Sequence, residues 1–263
     1  MKGESLMRTL TSLTLVLVIA FGFAYEEAVA AIILQGRNVD SNTAVFLDDG
    51  FENDTVGSPP SLADVGSWST TNPQNLPGVT SAAVPGPYFG NNYLHIARPA
   101  APAPEVTALF NGPVSGGDTL EFSFAMLHTG LYPGIILLNG GAEVARIQGD
   151  DTGGTYRMTT EAAGGGGGFQ NTGLASTLNV WQEVTMTWDT DGSLFRLTVD
   201  GNSFDYTLSK AASNVDRVRF RTDDGGAVFY IDGQIIPEPS AVVLLGMGSI
   251  VGGLMLGRRR RID

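Results

Sequence analysis

The side chains that could carry out catalysis are few in this 263-residue chain and are scattered along it. Hydrolysis of a glycosidic bond needs two neighbouring carboxyl groups, but the glutamates of the region 31–235 are isolated from one another in the sequence: Glu52, Glu105, Glu121, Glu143, Glu161 and Glu183. His95 and His128 lie in no metal-binding repeat and beside no nucleophile motif. The chain contains no cysteine, and therefore no thiol nucleophile, thiolate metal site or disulfide. The sequence predicts that the protein is not an enzyme.

Aromatic side chains that could stack on sugar rings occur at Trp68, Tyr88, Tyr93, Tyr132 and Trp181. Tyr88 and Tyr132 adjoin Pro87 and Pro133 in predicted loops, which favours exposure. Trp181 borders an alternating strand pattern and is predicted to be a core residue. We therefore expect Tyr88 and Tyr132 to contact a ligand.

Three arginines alternate along one predicted strand, at Arg217, Arg219 and Arg221. Alternate residues of a strand share a face of the sheet, so these side chains form a row. Such a row could bind an acidic polysaccharide through charge-assisted hydrogen bonds. The alternative is a solvated face that neighbouring acids neutralise.

The charge of the chain is strongly acidic between its two ends. The formal net charge is −12, and residues 31–257 hold nine basic and 23 acidic residues. Nucleic-acid binding needs clustered cations to neutralise phosphates, so this composition argues against a nucleic-acid partner. It is better suited to divalent cations.

Residues 31–235 show short strand patterns separated by turn signals, with no amphipathic helix pattern. The turns Asp191-Gly192 and Asp200-Gly201 join three alternating segments into a meander. Their predicted strands are 184–188, 195–199 and 204–208, and further strands are predicted at 93–96, 118–127, 134–138, 143–148, 216–221 and 227–232. Many short strands joined by glycine-rich loops predict an all-β fold, an antiparallel two-sheet sandwich or jelly roll.

The N-terminal 30 residues have the pattern of a signal peptide. Basic Arg8 precedes a 12-residue apolar run, 13–24, and Ala28-Val29-Ala30 is a cleavage site of the small-x-small type. We expect residues 1–30 to be removed by signal peptidase and residues 31–235 to be exported.

The C-terminal segment, 236–263, combines an extended motif, an apolar stretch and a basic end. Pro237 and Pro239 bracket Glu238 and keep it extended, because proline fixes its own φ and restricts its neighbour. Residues 241–257 carry no charge over 17 residues, near the ~17–25 needed for a transmembrane helix. The four final arginines favour the cytoplasmic side: Arg258, Arg259, Arg260 and Arg261.

This order of Pro237-Glu238-Pro239, apolar stretch and arginine cluster resembles the PEP-CTERM sorting signal of exopolysaccharide-producing Gram-negative bacteria. The resemblance implies that an exosortase in the inner membrane recognises the triplet and removes the tail. The protein would be only a transient inner-membrane intermediate before it reaches the cell surface or the extracellular matrix, where an exopolysaccharide is a partner. A permanent single-span anchor is the alternative, although an anchor does not need the triplet.

The body carries a second resemblance. The segment 181–189 and the hairpin that ends in Val199-Asp200-Gly201 resemble the core hairpins of concanavalin A-like or laminin-G-like jelly rolls. Residues 229–233 (Phe-Tyr-Ile-Asp-Gly) are similar to the last strand of many carbohydrate-binding jelly rolls.

In such jelly rolls an acidic segment near the start pairs with an aspartate on the final strand to hold a structural calcium ion. The stretch Asp48-Asp49-Gly50-Phe51-Glu52 is similar to that segment. The resemblance implies Asp49, Glu52 and Asp232 as calcium ligands, with Asp48 a further candidate. Calcium accepts such mixed oxygen ligands at flexible geometry. The alternative is a solvated acidic loop.

Together these features predict an exported protein of the cell surface or extracellular matrix, sorted by an exosortase, with a non-catalytic carbohydrate-binding jelly roll. A purely structural matrix or adhesion protein without specific glycan binding is the alternative. A glycan-active enzyme is the third possibility.

Overall fold

A computed structural model describes residues 31–61, 63–71, 78–80, 86–97, 104–130, 133–149, 154–160, 168–207, 210–222 and 228–236. Within these ranges, Ile32–Gln234 forms a compact unit. The predicted signal peptide (1–30), the predicted transmembrane helix (241–257), the Pro-Glu-Pro triplet, the four final arginines and Tyr132 lie outside the described residues.

Every regular element in the described ranges is a β-strand. The strands are β1 (Ala31–Asn38), β2 (Thr43–Asp48), β3 (Ser67–Thr71), β4 (Gly78–Thr80), β5 (Tyr93–Ala97), β6 (Glu105–Val114), β7 (Thr119–His128), β8 (Pro133–Asn139), β9 (Ala142–Gly149), β10 (Thr155–Thr160), β11 (Gln170–Ala175), β12 (Gln182–Asp189), β13 (Phe195–Val199), β14 (Asn202–Asp205), β15 (Val215–Thr222), β16 (Val228–Asp232) and β17 (Gln234–Ile236). None of the described segments is a helix long and apolar enough to cross a membrane.

The strands form two antiparallel sheets. The ten-stranded sheet has the order β14-β13-β12-β7-β16-β5-β4, with β1, β2 and β17 off that path, and the seven-stranded sheet has the order β11-β10-β9-β8-β15-β6-β3. Neighbours in each sheet are often distant in sequence, as in β7 between β12 and β16. The predicted all-β, two-sheet sandwich is confirmed.

The core lies between the two sheets because apolar residues alternate along the strands. In β12 the side chains of Val184, Met186 and Trp188 are buried while the residues between them are partly exposed, as expected for a strand with one face on the core. Phe124 of β7 meets Phe220 of β15 edge-to-face, with ring centroids 5.2 Å apart. Burial of each such ring stabilises the fold by about 1.5–3 kcal/mol.

The predicted strands match the observed ones to within two residues, except in the meander. β14 was expected at 204–208 but spans Asn202–Asp205. Asp200 and Gly201 both have positive φ, 49° and 78°, so they form a two-residue turn and pairing resumes at once with Asn202 opposite Val199. Further strands, such as β6 and β10, were not predicted from the sequence.

Candidate functional site

The candidate site lies on the outer face of the ten-stranded sheet, where β16, β5 and β12 present side chains away from the core. Phe229 and Ile231 of β16 belong to the core. Because successive strand residues point to opposite faces, Tyr230 and Asp232 lie on the outer face. In the neighbouring strand, His95 pairs with Tyr230 and so shares that face.

Five rings follow one another across this outer face, and we call them the aromatic run. His95 and Tyr230 are stacked with ring centroids 5.2 Å apart, and Tyr230 lies 5.6 Å from Tyr93. Trp181 continues the run at 6.0 Å from Tyr93 and 5.9 Å from Tyr88. Tyr93 is fully buried, whereas the other four rings are partly exposed. Partly exposed aromatic rings with polar tips are suited to contact the apolar faces of sugars.

Residues 86–92, here called the covering loop, cross this face and bring Tyr88 into the run. The Trp181 indole donates to the Gly86 carbonyl at 3.1 Å, and the Tyr88 hydroxyl donates to Glu183 Oε1 at 2.9 Å. Burial, followed by the Glu183 hydrogen bond, raises the pKa of Tyr88 to about 12. Tyr88 is therefore a neutral hydrogen-bonding group at physiological pH.

Asp232 holds the covering loop from beneath. Its Oδ2 accepts hydrogen bonds from the backbone N–H groups of Tyr88 at 2.8 Å and Phe89 at 3.0 Å, and its Oδ1 accepts from Gly233 N at 2.7 Å. The side chain is fully buried. Burial raises its pKa to about 7 despite these hydrogen bonds, which favour the charged form.

Glu52 holds the other end of the same loop. Its Oε1 accepts from the N–H groups of Asn91 at 2.8 Å and Asn92 at 2.9 Å, and its Oε2 accepts from Asn91 Nδ2 at 3.2 Å. Gly90, with φ of +68°, lies against this carboxylate, since a β-carbon there would be 2.8 Å from Glu52 Cδ. Two acids distant in sequence thus fix one loop.

The remaining predicted calcium residues organise the segment before Glu52. Asp48 Oδ1 accepts from Phe51 N at 2.9 Å and its Oδ2 accepts from the Trp68 indole at 2.6 Å. Burial raises the pKa of Asp48 to about 7. Asp49 accepts from Glu52 N at 3.1 Å and from Asn53 Nδ2. Buried Phe51 has φ of +71°, an uncommon conformation for a bulky residue.

The fit of calcium to these acids can be judged from their oxygens. The structure brings Glu52 and Asp232 to the covering loop, but their oxygens face N–H groups, and so do those of Asp48 and Asp49. No group of three acidic or imidazole side chains in the described part of the chain is placed to hold a metal ion. All four carboxylates therefore serve as acceptors of N–H groups, and calcium binding stays a prediction. The melting temperature tests this prediction: calcium binding should raise it at millimolar calcium, and a chelator should lower it again.

Sequence reasoning identified part of the aromatic run. Tyr88 lies in it, and Tyr132 is outside the described residues. Trp181 was expected in the core, yet it is partly exposed on the outer face. Tyr230 and His95 were not singled out as ligand contacts. For Tyr230 the sequence did hold a signal. It alternates with the core residues Phe229 and Ile231, which places its side chain on the outer face of the sheet.

The second histidine, His128 at the end of β7, is buried and hydrogen-bonded on both sides of its ring. His128 Nε2 lies 3.0 Å from the Ser176 hydroxyl, and its Nδ1 lies 2.8 Å from the Gly130 carbonyl oxygen. Burial lowers the pKa of His128. Both ring nitrogens have hydrogen-bonding partners, as a packed histidine requires.

Comparison with solved structures identifies the architecture. A sialidase superposes with a TM-score of 0.52 at 14% identity over 73% of this chain, which corresponds to only 18% of the sialidase. The Bacillus licheniformis β-glucanase gives 0.43 at 11% identity, covering 67% of this chain and 94% of the enzyme. The Caenorhabditis elegans galectin LEC-6 gives 0.37 at 15% identity, covering 53% and 94%. No protein-family model matches the chain, and no curated protein matches it.

The sialidase match corrects one prediction from the sequence. The prediction that the protein is not an enzyme is contradicted, because the fold is shared with part of an enzyme. At such low identity the likeness shows the shared fold and does not itself show catalysis. The described strands form an antiparallel two-sheet jelly roll, the fold that the chain shares with the matched part of the sialidase.

Proposed function

We propose that this protein is exported and that its jelly-roll domain binds carbohydrate at the cell surface or in the extracellular matrix. The observation that supports this most is the aromatic run, with Trp181 and Tyr88 partly exposed beside the carboxylate of Glu183. Rings give apolar contact to sugar faces, while the phenol and carboxylate offer hydrogen bonds to sugar hydroxyls.

A glycan array probed with the full-length protein in mild detergent tests this proposal. We expect binding to a restricted set of glycans, and the bound glycans should be assayed for cleavage as well as retention. Absence of signal above a denatured control on all glycans would contradict carbohydrate binding.

We further propose that the C-terminal segment directs sorting, with an exosortase and signal peptidase as processing partners. This part rests on the sequence: an extended Pro237-Glu238-Pro239, a 17-residue uncharged stretch and Arg258–261. The inner membrane is then a transient location, and the exopolysaccharide matrix is the destination.

Expression in an exosortase-bearing host, with Glu238→Ala beside the native sequence, tests the sorting step. Mass spectrometry of the native protein should show a C-terminus that lacks the four arginines, whereas Glu238→Ala should retain them. If both proteins keep Arg261 and stay in the inner membrane, the segment is a permanent anchor.

A further inference from the structure

The outer face of the seven-stranded sheet gathers most of the described basic side chains. Arg217, Arg219 and Arg221 alternate on β15 opposite the core residues Val218 and Phe220. Two more arginines point the same way from β9 and β10, because Ile147 and Met158 beside them are core residues. We call these five residues the basic face: Arg146, Arg157, Arg217, Arg219 and Arg221.

Strand register arranges these arginines in transverse rows. Arg146 and Arg219 both pair with Ile136 of the strand between them, so two strand spacings, ~9–10 Å, separate their backbones. Arg157 and Arg221 lie in a second row, separated by Gln148 and Gly134. The face therefore carries arginines two and three strand spacings apart across the strands, as well as along β15.

Apolar residues beneath the arginines keep this arrangement in place. Ile136 and Leu138 point outward with Arg219 and Arg217, yet each is only 1% exposed. The arginine stems cover them, as long basic side chains do when they keep their charged ends in water. The Arg221 stem lies across Gly134, where a β-carbon would be 3.5 Å from Arg221 Cγ.

Acids in the described part of the chain pair with several of these arginines. Glu105 is shared, at 3.4 Å from Arg219 Nε and 3.5 Å from Arg221 Nη1, and Arg219 Nε makes no hydrogen bond. Glu143 pairs with Arg146, and Asp216 pairs with Arg217. Such partly exposed pairs contribute only about 0–1 kcal/mol each, so an incoming anion can compete with them. The described acids thus meet the row, and Glu105 lies near both Arg219 and Arg221.

We propose that the basic face binds an anionic polysaccharide through its carboxylate or sulfate groups. The guanidinium fork fits both groups bidentately. The rest of the chain between residues 31 and 257 is acidic and repels a polyanion, which favours approach to this one face. Phe169, 44% exposed at the edge of the sheet, lies 5.1 Å from the Arg157 guanidinium and offers a ring to a neighbouring sugar. This face is distinct from the aromatic run, and the inference does not depend on that site.

The test measures binding of the full-length protein in mild detergent to heparin and polygalacturonate, with dextran as the uncharged control. Binding should be seen at about 10 mM salt and fall at about 0.15 M, because the Debye length shortens from ~30 to ~8 Å. The triple variant Arg217→Gln, Arg219→Gln, Arg221→Gln should weaken the affinity by about tenfold or more, equivalent to ~1.4 kcal/mol. Arg196→Gln, which breaks an exposed pair with Asp205 on the other sheet, should leave it unchanged.

Several outcomes would overturn the proposal. They are no binding of either polyanion by the wild-type protein at low salt, equal binding of dextran, or unchanged affinity in a folded triple variant. If the triple variant does not fold, the binding of wild-type protein to heparin, polygalacturonate and dextran still tests the proposal. Polyanion binding should persist in Trp181→Ala, which separates failure of this proposal from failure of the aromatic run.

Discussion

Two carboxylates, the buried Asp232 and the partly exposed Glu52, hold the covering loop near the candidate site. Each accepts two backbone N–H groups from this loop. The family resemblance predicted calcium ligands in the acidic segment and on the final strand, and this stays a prediction. Their role as acceptors could not be foreseen, because it depends on a loop whose path the sequence does not encode in any periodic pattern.

The raised pKa of Asp232 predicts a pH dependence of stability. Its pKa of about 7 exceeds the ordinary 3.8, so between about pH 4 and 7 the folded state binds a proton that the unfolded state lacks. The free energy of unfolding should therefore rise as the pH falls from 8 to 5, by on the order of 1–3 kcal/mol from this group. Urea unfolding at several pH values measures the slope, which should be smaller in Asp232→Asn.

Asp205→Asn is the matched control for this slope. The Arg196 guanidinium holds the pKa of Asp205 below its usual value, so Asp205 titrates below the pH range 5–8. Identical slopes in the wild-type protein and Asp232→Asn would show that Asp232 does not keep a raised pKa in the folded state. Asp48 has a pKa raised in the same direction and should account for part of the slope that remains.

Among the elements, the Asp-Gly hairpins could be predicted well and the long loops could not. The β12–β13 hairpin and the β13–β14 turn follow from alternation and from residues that tolerate positive φ, which are local properties. The sequence of the covering loop shows neither alternation nor such a turn pair that would predict its path. It is fixed by Glu52 and Asp232, which are 40 and 144 residues away from their partners in the chain, and by the close approach at Gly90.

Replacement of Gly90 tests how the covering loop is held. Gly90→Ala places a β-carbon against the Glu52 carboxylate at a φ of +68°, so it should disrupt the bonds to Asn91 and Asn92. We expect a loss of about 2–4 kcal/mol in the free energy of unfolding, measured with urea. Gly201→Ala is the control, because Gly201 also has positive φ (+78°) but no atom within 4 Å of its added β-carbon. Equal losses in both variants would mean that Glu52 does not hold the loop.

At the scale of the whole molecule, the sandwich presents two outer faces of different chemistry. One carries the aromatic run and the other carries the basic face, whereas the chain as a whole is acidic. The all-β class could be predicted because turn spacing and alternation repeat along the chain. The order of the strands could not, because hydrogen-bonded neighbours such as β7 and β12 are distant in sequence and no local pattern specifies their pairing.

The compact unit Ile32–Gln234 should fold independently of both ends of the chain. A fragment covering 31–234 is expected to give a β-type far-UV circular dichroism spectrum and a single cooperative thermal transition, because both sheets and the core belong to it. A mainly helical spectrum, or a broad transition without cooperativity, would contradict an autonomous domain.

The most direct test of carbohydrate binding by the aromatic run compares Trp181→Ala with wild-type protein on the same glycan array. We predict that Trp181→Ala lowers the affinity for the bound glycans by about tenfold or more, equivalent to ~1.4 kcal/mol, and that Trp181→Phe retains most of it because the ring remains. Phe169→Ala, an exposed ring on the other sheet, should bind uncharged glycans as the wild type does. Wild-type protein without glycan signal, or folded Trp181→Ala with undiminished signal, would contradict the account.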